Sequence, residues 1–115
     1  MTPRISAGTL WAADLSPRRG TEPGKVRPVL VVQTDMLSGV AHPSTVVAPC
    51  TTRRAGESLL RVELPVRMAS NRAACEVMID QLRAIDNRRL RKALGRVPRP
   101  VLLEVREKLR RLLDL

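Results

Sequence analysis

Phenylalanine and tyrosine are absent from this 115-residue chain, and tryptophan and histidine occur once each. The interior must therefore be built from Val, Leu, Ile, Ala and Met, with Trp11 as a packing anchor whose ring N–H needs a partner if buried. Binders of single-stranded nucleic acid usually stack bases on aromatic rings, so here Arg guanidinium planes and His42 would have to substitute. A single histidine excludes a two-histidine acid/base mechanism and argues against a His-dependent triad. Cys50 and Cys75 are too few and too far apart for a zinc site, and no carboxylate spacing supports another metal centre. They are expected as buried thiols without a redox role. Long apolar runs are missing as well. Nothing reads as a signal peptide or a spanning helix, which implies a cytoplasmic protein with no membrane association.

Positive charge is abundant. Net charge is +10, and 18 of the 21 basic residues are Arg, whose planar fork suits phosphate and carboxylate. A polyanion is the expected partner class, with nucleic acid, an acidic protein and an anionic surface all open, and a merely well-solvated Arg-rich surface as the plain alternative. The charge is uneven. Residues 1–82 hold ten basic and seven acidic groups, and residues 83–115 hold eleven and four. Either the fold brings Arg83, Arg88 and Arg89 to the loop motif described next, or the C-terminal charge serves another surface.

At this length one domain, 1–115, is expected, burying roughly two thirds of its unfolded surface. Thr9–Leu15 alternates as a first strand, broken by Ser16-Pro17-Arg18-Arg19-Gly20, and a loop runs on to Arg27. Pro28–Gln33 reads as a central strand in which Pro28 can take only the first position or an edge. Ser38–Ser44 is a second loop. Thr45–Cys50 is a third strand, and Thr51–Gly56 the turn beyond it. Leu60–Leu64 alternates with Leu60, Val62 and Leu64 on one face. Short strands follow at Glu76–Ile79 and Gln81–Ile85, a helical turn at Asp86–Leu90 and a closing strand at Gly95–Val97. Pro100 suits the first turn of a terminal helix whose Leu102, Val105, Leu109, Leu112 and Leu113 form one apolar stripe. The whole predicts a mainly β (α+β) domain: a small, strongly curved antiparallel barrel with a C-terminal α-helix.

The groups available for chemistry are Glu22, Lys25, Arg27, Thr51, Thr52, Arg53 and Arg54, provided that the two loops meet at one end of the sheet. Metal-free RNA cleavage must remove the 2′-hydroxyl proton, stabilise the extra charge on the phosphate and protonate the leaving 5′-oxygen. Arg27 can offer two N–H groups to phosphate oxygens and Thr51 a hydroxyl. Glu22 is a candidate base, although a neighbouring Arg lowers its pKa where proton transfer wants it raised. Each residue has a plainer reading. Arg27 can pair with Asp14 or Glu22, Thr51 can cap a turn, and Glu22 can be a solvated surface charge.

Six blocks in register carry a resemblance that spans nearly the whole chain. They are Gly8-Thr9-Leu10-Trp11 with Asp14-Leu15, Gly20-Thr21-Glu22, Arg27 to Val32, Pro49-Cys50-Thr51-Thr52, Asp80-Gln81-Leu82-Arg83 and Leu94-Gly95-Arg96-Val97. In order and spacing they resemble the MazF/PemK family of toxin ribonucleases of type II toxin-antitoxin systems. The resemblance implies an SH3-like barrel, a homodimer, and sequence-specific cutting of single-stranded RNA without metal or cofactor. Restraint by an acidic, MazE-like antitoxin is implied as well. It assigns Arg27 to the phosphate as general acid or charge stabiliser, Thr51 to phosphate binding and Glu22 to activating the nucleophile, with Lys25, Thr52, Arg53 and Arg83 as RNA contacts. The products would be a 2′,3′-cyclic phosphate and a 5′-hydroxyl, and the segment Asp35 to Ser44 would help to select the RNA sequence. Two other readings are a non-catalytic gyrase-inhibiting toxin of the same barrel fold and a basic nucleic-acid-binding module.

Overall fold

The computed structural model describes residues 4–17, 20–21, 25–56, 59–65 and 74–115. Among these, seven strands form one antiparallel sheet with a helix at its C-terminal end. The strands are β1 (Thr9–Asp14), β2 (Val26–Val31), β3 (Ser44–Thr51), β4 (Arg61–Leu64), β5 (Cys75–Met78), β6 (Arg83–Asp86) and β7 (Leu90–Arg96). A four-residue helix, α1 (Asp35–Ser38), follows β2, and α2 (Arg99–Leu113) closes the chain. The order is β4-β5-β3-β2-β1-β7, with β6 also paired to β3. One edge of β3 thus meets β2, and the other meets β6 along Ser44–Val47 and β5 at Cys50 and Thr51. The expected mainly β architecture with a C-terminal helix is the one observed.

Alternation along the strands builds two cores, because successive side chains point to opposite faces. Leu10, Leu30, Ala48 and Cys50 join Val62, Leu64, Val77 and Ile79 under Leu102 and Val105 of α2. Trp11, Ala13, Val29, Val31, Val47 and Ile85 fill the other side. The middle of the sheet is therefore covered on both faces, which is why Val29-Leu30-Val31 is apolar without a break. Trp11 is buried as expected, and its Nε1–H donates to Thr9 Oγ1 at 3.1 Å.

Several boundaries differ from expectation. β2 begins at Val26, so Arg27 lies within a strand and Pro28 is its third residue. The β2–β3 ladder starts at Val29↔Pro49, so Pro28 sits one residue beyond it and its missing N–H costs that ladder nothing. Thr51 is the last residue of β3 rather than the start of the turn. The closing strand covers Leu90–Arg96 because pairing with β1 overrides the charged stretch at its start. The strand foreseen at Gln81–Ile85 is a 3-10 turn at Ile79–Gln81 followed by β6. Helix α1 had no apolar period to announce it. Its signal is Thr34, whose hydroxyl accepts the Met36 N–H as an N-cap.

Helix α2 packs on β4 and the 3-10 turn through Leu102 and Val105, with Leu109 beside them. The last part of the expected stripe does not pack, since Leu112 and Leu113 are 42% and 50% exposed. No described helix is long and apolar enough to cross a membrane.

Gly8 joins four elements. Its N–H donates to Val31 O and its carbonyl accepts from Val97 N, both at 2.9 Å. Its φ is +87°, and an added Cβ would lie 3.1 Å from Leu102 Cδ2. Gly8→Ala is therefore expected to cost about 1–3 kcal/mol from backbone strain and the push on α2, read as a lower urea midpoint. An unchanged midpoint would contradict this.

Asp86 closes the 3-10 turn Asn87–Arg89. Its carboxylate accepts the Arg88 backbone N–H at 2.8 Å and two guanidinium N–H groups at 3.1 and 3.0 Å. These bonds hold its pKa down to about 2. A carboxylate lowered on folding adds stability that is complete above its unfolded pKa of about 4 and is lost as pH falls through the folded value. Wild type should thus melt above Asp86→Ala at pH 6, with the gap closing between about pH 4 and pH 2. A gap that stays constant across that window would contradict the assignment.

Candidate active site

The register of β2 and β3 decides what meets Arg27. The β2–β3 ladder ends at Val29↔Pro49, two residues short of Arg27 on β2 and of Thr51 on β3. The two strands also touch there directly, because Arg27 Nη1 donates to Cys50 O at 3.3 Å. Arg27 and Thr51 are both half-buried. Thr51 Oγ1 accepts the Arg53 N–H at 3.1 Å, which leaves the hydroxyl hydrogen able to donate outward. The Arg27 guanidinium thus reaches the end of the strand that carries the Thr51 hydroxyl, and a cation and a hydroxyl together suit a phosphodiester.

Two loops frame this end. The loop after β1 is tied at its base: Leu15 N donates to Lys25 O at 2.8 Å, and Lys25 N to Ser16 Oγ at 3.2 Å. Arg89 adds Nη1 bonds of 3.0 Å to Asp14 O and 2.7 Å to Ser16 O. Asp14 accepts the Ser16 N–H, and that bond, helped by Arg91 at 3.7 Å and by Arg89, lowers its pKa. The turn after Thr51 is held by Glu76, which lies opposite Thr51 in the β3–β5 ladder. Its Oε1 accepts the Ala55 N–H at 3.0 Å and an Arg61 N–H at 3.3 Å, and Arg61 also donates to Arg53 O at 3.4 Å.

The sequence-derived candidates divide accordingly. Arg27 reaches the carbonyl of Cys50, the residue before Thr51. Lys25, Thr52 and Arg53 are exposed on the two loops at this end. Arg83 stands opposite Val47 on β6, further along β3. Glu22 lies outside the described residues. Of the C-terminal arginines, Arg89 reaches the loop base while Arg88 turns to Asp86. Sequence reasoning missed Glu76 and Arg61, and it left open whether the fold brings Arg89 to the loop. Their roles depend on strand pairing and on a bond spanning 73 positions, and only a lone Glu inside the apolar Cys75–Met78 strand hinted at one of them.

Cys50 and Cys75 are buried free thiols. The Cys75 thiol beside Cys50, together with burial, pushes the Cys50 pKa well above its ordinary value, which keeps that thiol protonated next to the site.

Residues 6–113 match the model of the PemK-like, MazF-like toxins of type II toxin-antitoxin systems. The chain belongs to that family. Endoribonuclease MazF9 of Mycobacterium tuberculosis is 31% identical over 112 residues, covering 94% of this chain and 95% of the relative. The crystal structure of MazF (Form-I) from Deinococcus radiodurans superposes with a TM-score of 0.84 at 32% identity, covering 99% of this chain and all of that one. The MazF-like fold also matches the MazE-MazF (Form-II) crystal structure from the same organism, with a TM-score of 0.76, 33% identity and 96% of each chain covered. The family is the one that the six sequence blocks resemble.

Proposed function

We propose that this type II toxin is a cytoplasmic, homodimeric endoribonuclease that cuts single-stranded RNA at short sequences without a metal ion, and that an acidic MazE-like antitoxin restrains it. The observation that carries the reading is the meeting of Arg27 with the end of β3 at Cys50 and Thr51. Family membership, the MazF9 endoribonuclease relative and the MazE-MazF structures support it.

In this reading the RNA 2′-hydroxyl gives its proton to the Glu22 carboxylate and its oxygen attacks the adjacent phosphorus. The O2′–P bond forms, the P–O5′ bond breaks, and the leaving 5′-oxygen takes its proton from a water molecule at the open site. The products are a 2′,3′-cyclic phosphate and a 5′-hydroxyl. Arg27 binds two phosphate oxygens and offsets the extra negative charge of the five-coordinate transition state. As a guanidinium it keeps its proton near neutral pH, so charge stabilisation is its principal work. Thr51 donates to the same phosphate, and Lys25, Thr52, Arg53 and Arg83 bind the flanking strand.

The test is incubation of antitoxin-free protein with a long single-stranded RNA in EDTA, with sequencing of the 5′ ends and a parallel Arg27→Ala control. Cuts recurring at one short motif, lost in the variant, are the expected result. Intact RNA from folded protein would reject the reading and favour gyrase inhibition or simple binding.

A further inference from the structure

Strand β5 is buried along its whole length, and three of its four residues are Cys75, Val77 and Met78. The fourth is Glu76, a carboxylate that is only 8% exposed. A charge buried in a strand is costly unless it is paired, and apolar residues of similar volume often give equal or greater stability. The β4–β5 ladder adds to the cost. Glu76 stands opposite Glu63, so two like charges share one face of the sheet. Stability alone gives no reason for a carboxylate here, and its bonds point to another role.

Those bonds go to the turn that follows Thr51. Residues 52–56 are exposed, and among the described residues no hydrogen bond between loop backbone groups ties them. Side chains hold the turn instead. Glu76 Oε1 accepts the Ala55 N–H at 3.0 Å and holds Arg61 Nη1 at 3.3 Å, and the same Nη1 donates to Arg53 O at 3.4 Å. Arg61 is itself anchored, since its carbonyl accepts from Lys108 Nζ of α2 at 2.8 Å. Arg54 pairs with Glu63 at 3.2 Å, but both side chains are more than half exposed and that pair contributes little. With Arg53 held at its carbonyl, its N–H meets Thr51 Oγ1 at 3.1 Å. That bond sets the Thr51 side chain and leaves the hydroxyl hydrogen for a phosphate.

We propose that Glu76 is a positioning residue for RNA cleavage: through Arg61 and the Ala55 N–H it fixes the turn after Thr51, and the turn fixes the Thr51 hydroxyl against the reacting phosphate. The inference rests on the nuclease reading above, with Thr51 as a phosphate donor. Glu76 touches no substrate and acts only through Thr51. A donor held slightly out of line loses much of its effect in the transition state, while binding of the flanking RNA changes less. Removing Glu76 should therefore matter when the Thr51 hydroxyl is present and not when it is absent, which a purely structural role would not produce.

The test is a double-mutant cycle in single-turnover cleavage of a short RNA holding the motif that the wild type cuts, in EDTA, at a temperature where circular dichroism shows every variant folded. Glu76→Val removes the carboxylate and suits a buried strand; it should slow cleavage about tenfold. Glu76→Gln keeps an acceptor for Ala55 but loses the charge on Arg61, and should slow it about threefold. RNA affinity should fall by less than about twofold in both. On a Thr51→Ala background each change should alter the rate by less than about twofold. In RNA-free protein, amide exchange at Arg53 and Ala55 should quicken in Glu76→Val. Wild-type rates in both Glu76 variants, equal slowing with and without the Thr51 hydroxyl, or unchanged exchange at both amides would each overturn the proposal. If Glu76→Val does not fold, Glu76→Gln and Arg61→Gln are judged by the same comparison. If the wild type cuts RNA and the cycle shows no coupling, only the positioning role is lost. If the wild type leaves RNA intact, the nuclease reading fails and the positioning role falls with it.

Discussion

Arg27→Ala is expected to slow RNA cleavage by about a thousandfold, the scale of removing a preorganised donor from a developing oxyanion. Thr51→Ala should slow it about a hundredfold, since a neutral hydroxyl donor gives less than a two-pronged cation. Both variants should fold and still bind antitoxin, because neither side chain belongs to either buried cluster. Arg27→Lys separates charge from geometry. It keeps the cation but loses the planar fork, so it should recover about tenfold over the alanine variant and fall well short of wild type. Single-turnover rates on a short RNA containing the cleavage motif, with matched melting curves, decide the matter. Wild-type rates in Arg27→Ala or Thr51→Ala would remove that residue from the site.

The largest effect on stability should come from Leu30→Ala. Leu30 is fully buried, stands opposite Leu10 in β1 and Ala48 in β3, and lies in the cluster covered by α2. Truncation there leaves a cavity that two flanking strands cannot close, at a cost of about 3–4 kcal/mol. For a domain holding about 5–15 kcal/mol, that is a large fraction of the total and lowers the melting temperature by roughly 10–20 °C. Leu112→Ala on the half-exposed last turn of α2 should change stability by about 0.5 kcal/mol or less. Equal losses from the two would mean that α2 buries its last turn in solution, as it would against a partner.

Local chemistry was legible where it repeats or interrupts. The 3.6-residue period from Leu102 to Leu109 announced α2, and the alternation of Val62 and Leu64 announced β4. The Arg27 and Thr51 blocks stood out through their neighbours and through the family resemblance. α1 was not legible, because one turn closed by a Thr34 cap has no hydrophobic period. The length of β7 was hidden as well. Arg91 and Lys92 fall between the expected helical turn at Asp86–Leu90 and the expected closing strand at Gly95–Val97, and only the β1 backbone alongside makes them a strand.

By itself, then, the sequence determined an aliphatic core, a mainly β chain with a terminal helix, a strongly basic composition and a short set of candidate groups around Arg27 and Thr51. Those properties follow from composition and short-range periodicity, which each segment carries alone. The tertiary structure decided that Arg27 comes to Cys50 and Thr51, that Glu76 and Arg61 brace the turn beyond them, and that Arg89 ties the β1 loop from the far end of the chain. It also decided that, among the described residues, the cationic strand β7 pairs on one side only. Strand order and register set each of these, and they arise from pairings between residues distant in the chain whose hydrogen bonds run through the backbone, where side-chain identity leaves little trace.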